Sequence, residues 1–132
     1  MRLHSTGSAV GCCGAAVVEE VIVDEQRDLQ VDLAQVAIPG QDGGQDVYLT
    51  GPDCDRLFDG PYPAPGAGPR PQPRCPVILG PVARGRVSPR AAVAPGRYRV
   101  FVQAYDSNAS ANAYRFDVSV WGASCGASAA GP

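Results

Sequence analysis

Hydrophobic residues recur with a period of two along most of this chain. After the turn signal Pro95-Gly96, Tyr98, Val100, Val102 and Ala104 alternate with Arg97, Arg99, Phe101, Gln103 and Tyr105. Beyond a polar stretch over 106–112, Tyr114, Phe116, Val118 and Val120 alternate with Arg115, Asp117, Ser119 and Trp121. Successive side chains of a strand point to opposite faces, so each run reads as a half-buried strand. The two together predict a long β-hairpin or two neighbouring antiparallel strands.

The rest of the chain continues the pattern. Residues 17–23 (VVEEVIV) form a β-branched run that reads as the first strand. Leu29, Val31 and Leu33 alternate with polar residues and point inward, and 39–45 (PGQDGGQ) is a loop. Residues 46–51 form another strand, with Val47 and Leu49 on one face and Tyr48 on the other. Val77 to Leu79 adds a short strand, and Pro89 confines any strand near it to an edge or a bulge. No stretch carries a helical period with caps. The expectation is an all-β antiparallel sandwich or jelly roll of about six to eight strands. Residues 1–14 are small and polar and predict a flexible segment. Residues 15–122 form the β domain, and 123–132 a flexible tail.

Composition narrows the chemistry. The 132 residues suffice to bury a core. The net charge of −2 supplies no electrostatic footprint for nucleic acid. The single histidine, His4, falls in the segment expected to be flexible, which leaves little for zinc sites, His-based triads or a histidine general acid. No G-x-S-x-G is present, and Ser88 and Ser107 have no histidine partner in their own elements, so serine hydrolase chemistry is disfavoured and no catalytic residue is assigned. Glu19 and Glu20 are adjacent on a strand and point to opposite faces, so they cannot share a substrate. No run of about 20 apolar residues is present to span a membrane as a helix.

The five cysteines contain no CxxC pair, so a disulfide framework is the better reading than a metal site. Cys54 and Cys75 bracket an irregular stretch with six prolines between Pro61 and Pro73. Such a stretch cannot sustain a hydrogen-bond ladder, and a bridge between its ends explains how a domain tolerates it. Cys125 is placed to bridge to Cys12 or Cys13, if the first and last strands are neighbours. Ala9-Val10-Gly11-Cys12 resembles the end of a bacterial lipoprotein signal, which makes Cys12 a candidate lipidation site; a match of four residues also arises by chance. No hydrophobic signal core precedes it.

The order of these elements resembles a known family. Asp46 to Leu49, then Pro95-Gly96-Arg97-Tyr98-Arg99-Val100-Phe101-Val102, then Tyr114, Phe116 and Val118 match the D-x-x-L, P-G-x-Y-x-V-x-V and Y-x-L-x-V strands of bacterial pre-peptidase C-terminal domains. The resemblance spans roughly Val17 to Trp121. It implies a compact β-sandwich that serves secreted enzymes as a non-catalytic appendage in secretion, adhesion or processing. This chain departs from that pattern: it carries no enzyme domain and inserts the proline-rich loop between Cys54 and Cys75. The departures suit a stand-alone component of a bacterial envelope, extracellular or surface-bound, with a polysaccharide or protein of the envelope as partner. A structural surface component or lipoprotein without a specific ligand is the alternative, and a carbohydrate-binding module a further one.

Two candidate sites follow from the residues. Phe101, Tyr105 and Trp121 occupy strand positions opposite the best apolar rows; with Tyr48, Tyr62 and Arg99 they could form an exposed aromatic platform for a sugar ring or a peptide. The competing reading is that these rings are simply packed. Asp42, Asp46, Asp53 and Asp55, with Asp59, lie near turns and are the candidate ligands of a Ca²⁺ ion, the one cofactor the sequence suggests. Calcium needs six to eight oxygens, no EF-hand spacing is present, and acidic residues also favour turns for their own backbone hydrogen bonds.

Overall fold

The computed structural model describes residues 2–7, 15–24, 28–40, 44–59, 71–104 and 113–122. Within them the chain forms nine strands and no helix. These are β1 (Arg2–Gly7), β2 (Ala15–Val23), β3 (Leu29–Gln35), β4 (Gln45–Thr50), β5 (Val77–Ala83), β6 (Arg86–Val87), β7 (Ala91–Val93), β8 (Gly96–Ala104) and β9 (Tyr114–Trp121). They build two antiparallel sheets. One has the order β1-β9-β3-β6, with β7 also paired to β3; the other has the order β2-β8-β4-β5.

Strands β6 and β7 act as one interrupted edge strand. Both pair with β3, and the break between them falls at Ser88-Pro89-Arg90. Proline cannot donate to a ladder. The Ser88 side chain repairs the gap: its amide donates to the Leu33 carbonyl (2.8 Å) while its Oγ accepts from the Leu33 amide (2.9 Å). Counted as one, this edge gives four nested antiparallel pairs: β1 with β9, β2 with β8, β3 with β6 and β7, and β4 with β5. A long antiparallel ribbon closed at β4–β5 and rolled into two sheets is a jelly roll.

Between the sheets lies the main core, built from the inward rows read from the sequence. Leu29, Val31 and Leu33 of β3 and Phe116 and Val118 of β9 meet Val47 and Leu49 of β4 and Val100 and Val102 of β8. β5 runs beyond the expected Val77–Leu79 to Ala83. Its turn at Gly80 requires glycine, because φ is +117° and a Cβ would lie 2.7 Å from the Val47 carbonyl oxygen.

Two expectations are corrected. β8 and β9 are neither a hairpin nor neighbours; they lie in opposite sheets. Alternation identifies the apolar face of a strand but not its hydrogen-bonded partner, and the rows of Tyr98 and Tyr114 serve the same core from its two sides. The segment 1–14 is not wholly flexible, since Arg2–Gly7 forms an edge strand with Leu3 opposite Val118. One inward leucine suffices there, because β9 supplies the ladder. Among the described residues the strands number nine, or eight with β6 and β7 counted as one edge, in keeping with the expected sandwich; β6 and β7 are too brief to announce themselves in a hydrophobic pattern.

A second, smaller core lies on the outer face of the four-stranded sheet. Tyr48 and Phe101, paired across β4 and β8, are covered by Cys54, Leu57 and Phe58. Tyr48 and Phe58 meet edge to face at 5.8 Å between ring centroids. All six residues of β4 are buried, with Val47 and Leu49 in the main core and Tyr48 in this second layer.

Candidate functional site

The two outer faces of the sandwich differ, and the difference starts with the disulfide. Cys54 and Cys75 are joined, their Cα atoms 5.7 Å apart. The bridge holds the start and end of the excursion side by side, and the Arg74 amide donates to the Leu57 carbonyl at 2.7 Å. Arg99 reaches out from β8, donating from Nη1 to the Cys54 carbonyl at 2.9 Å and pairing with Asp55 at 3.2 Å. Arg99, expected beside a ligand, clamps this loop to its sheet. Beneath the loop Phe101 is 1 % exposed, which corrects its place in an exposed platform: a ring buried on both sides offers no stacking face. Beside the bridge a cleft of about 450 Å³ opens between Pro52, Pro76 and Ile78, with Asp53 and Arg74 among its walls.

The outer face of the five-stranded sheet carries a different set of groups. Its outward positions include Gln30 and Asp32 on β3, the exposed Arg115 with Asp117, Ser119 and Trp121 on β9, and His4 on β1. The register sets Gln30 opposite Trp121, Asp32 opposite Ser119, and His4 opposite Asp117. Trp121 is half-buried, and its Nε1 donates to Asp32 Oδ2 at 2.9 Å. Arg90, from the break between β6 and β7, lays its guanidinium over the indole, with Cζ 4.1 Å from the ring centroid. Its Nε faces the same Asp32 oxygen at 3.4 Å. Asp32 thus accepts a hydrogen bond from the ring and pairs with the guanidinium, holding both. Further along β9, Nδ1 of His4 meets Oδ1 of Asp117 and ties the edge strand to its neighbour.

Two tyrosines have displaced acidities. Burial raises the Tyr98 hydroxyl above its ordinary value. Tyr114 is raised as well, by burial first and by the nearby negative charge of Glu19 second.

Asp46 is 1 % exposed within β4 rather than near a turn, which corrects its place among loop ligands for calcium. Asp53 and Asp59 are exposed, Asp55 is paired with Arg99, and Asp59 is paired with Arg74 at 2.8 Å. Among the described residues no group of three or more His, Cys, Asp or Glu side chains is arranged to hold a metal ion. Asp42, Tyr62, Tyr105, Cys12, Cys13 and Cys125 lie outside the described residues, and with them the second disulfide and the lipidation site.

Sequence reading found Trp121 but missed Asp32, Arg90, His4 and Asp117. The aspartates carry a signal in hindsight, as charged residues at outward positions of otherwise strong strands. Arg90 carries none, because only the fold brings it to the tryptophan.

Comparison with known proteins finds no matching family model, curated protein or solved structure. Fold and sites alone define the class, an all-β sandwich of jelly-roll order with a disulfide-held cover on one sheet.

Proposed function

We propose that this chain is a non-catalytic binding or accessory module of an oxidising, extracellular or envelope compartment. It works through the outer face of its five-stranded sheet. One observation carries the reading: the molecule closes one outer face with its own loop and leaves its only tryptophan on the other, among fixed polar groups. The carboxylates of that face are engaged, Asp32 by Trp121 and Arg90, and Asp117 by His4. That supports recognition over general acid–base chemistry, which needs a carboxyl group able to exchange its proton with a substrate. The Cys54–Cys75 bridge supports an oxidising compartment. The resemblance to bacterial pre-peptidase C-terminal domains supports an accessory role in a bacterial envelope. A polysaccharide is the favoured partner, because a flat sheet bearing an aromatic ring and neutral polar groups suits a sugar chain.

Affinity electrophoresis through gels containing soluble envelope polysaccharides tests this. The wild-type chain is expected to be retarded, Trp121→Ala to migrate freely, and Ile22→Ala, on the other sheet, to behave as wild type. No retardation by any polysaccharide, or equal retardation of all three proteins, points instead to a structural component without a specific ligand.

A further inference from the structure

Exposed arginines usually sample many rotamers, and binding through one loses that freedom. Arg90 is half exposed yet held by two contacts. Its plane lies on the Trp121 ring at 4.1 Å, and its Nε edge faces Asp32 at 3.4 Å. The far edge of the guanidinium, bearing Nη1 and Nη2, has no partner among the described residues. A guanidinium fixed in this way presents a fork that matches two oxygens of a planar anion. Resting on the binding face proposed above, we infer that Arg90 is its anion-recognition element, and that the ligand is a carboxylate-bearing sugar chain, a polymer containing uronic acid.

The neighbouring groups narrow the class. Gln30, opposite Trp121, and Ser119, opposite Asp32, are neutral hydrogen-bonding residues at outward positions, suited to sugar hydroxyls. The net charge of −2 offers no long-range attraction to a densely charged polyanion. Nucleic acid and heavily sulfated chains therefore fit poorly, whereas a polymer with sparse carboxylates among hydroxyls fits. An acidic peptide is disfavoured because extended peptides take a sheet edge or a groove, and Gln30, Ser119 and Trp121 lie on the face of β3 and β9, inside the edge that carries Arg90.

Trp121 is the only tryptophan of the chain, so its fluorescence reports on the site directly. The full chain is titrated with oligogalacturonate, alginate oligomers and hyaluronan oligomers. Methyl-esterified oligogalacturonate serves as the neutral counterpart and oligoglutamate as the peptide counterpart. At least one carboxylated sugar is expected to give a saturable change that weakens with added salt. Arg90→Gln is expected to weaken it at least ten-fold, with Arg90→Lys intermediate because it keeps the charge but not the fork. Amide chemical-shift mapping on each variant checks that binding stays on β3 and β9. Equal binding of the methyl ester, or undiminished binding by Arg90→Gln, overturns the anion assignment while leaving the binding face intact. Tighter binding of oligoglutamate overturns the sugar. If no oligomer, charged or neutral, perturbs Trp121 or the amides of that face, the binding face falls and this inference with it.

Discussion

The hydroxyl of Tyr98 donates a hydrogen bond to the carbonyl of Ala94, four residues upstream across the Pro95-Gly96 turn. Gly96 makes the turn with φ at +154°, and the Tyr98 ring descends into the main core. This is a tyrosine corner, a device that fixes how a chain enters a sandwich strand. It gives physical content to the most recognisable motif in the sequence, P-G-x-Y. That content is structural and says nothing about a ligand.

Tyr98→Phe keeps the ring in the core and removes only this hydrogen bond. The variant should lose about 1 kcal/mol of stability. Urea denaturation of both proteins measures it; an unchanged midpoint would show the corner to be dispensable.

The same two tyrosines set an alkaline limit. Tyr98 and Tyr114 are raised above the ordinary tyrosine value of 10.0 in the folded state. As pH passes about 10, the unfolded chain loses its tyrosine protons first while the folded chain retains them, so the unfolded state gains and stability falls. Below that pH both states are neutral at these groups and no such loss is expected. Denaturation midpoints collected from pH 8 to 11 should stay level and then fall, with a shallower fall in Tyr98→Phe.

The Cys54–Cys75 bridge closes a loop whose ends are 21 positions apart. Chain-entropy reasoning gives it about 3 kcal/mol. Reduction, or the double change Cys54→Ser with Cys75→Ser, should lower stability by about that amount. The sandwich should survive, because the bridge belongs to the second core rather than to the main one. Circular dichroism that keeps its β signal while the melting temperature drops fits this; collapse of the β signal on reduction contradicts it.

Phe101 and Trp121 should respond differently to truncation. Phe101→Ala empties the centre of the second core and should cost about 3–5 kcal/mol. Trp121→Ala, half-buried on the other outer face, should cost clearly less while abolishing polysaccharide retardation. Equal destabilisation by both would mean that Trp121 is as much a core residue as Phe101.

Much of this architecture is legible in the sequence, for a simple reason. Side-chain direction in a strand alternates residue by residue, so Leu29, Val31 and Leu33, and Tyr98, Val100 and Val102, declare their inward faces without any knowledge of their neighbours. The Cys54–Cys75 pair is legible too, because a proline-rich excursion needs its ends held together. Pairing is not local. β8 and β9 look like hairpin partners in the sequence yet lie in opposite sheets, since either arrangement buries the same rows. β1 is invisible because an edge strand borrows its ladder from β9 and needs only Leu3 inward. Phe101 and Trp121 occupy equivalent outward positions in equivalent alternating runs, and nothing within either run separates them. The loop that carries Leu57 and Phe58 lands on one sheet and not on the other. That long-range packing alone turns Phe101 into core and leaves Trp121, with Arg90 laid across it, on a surface.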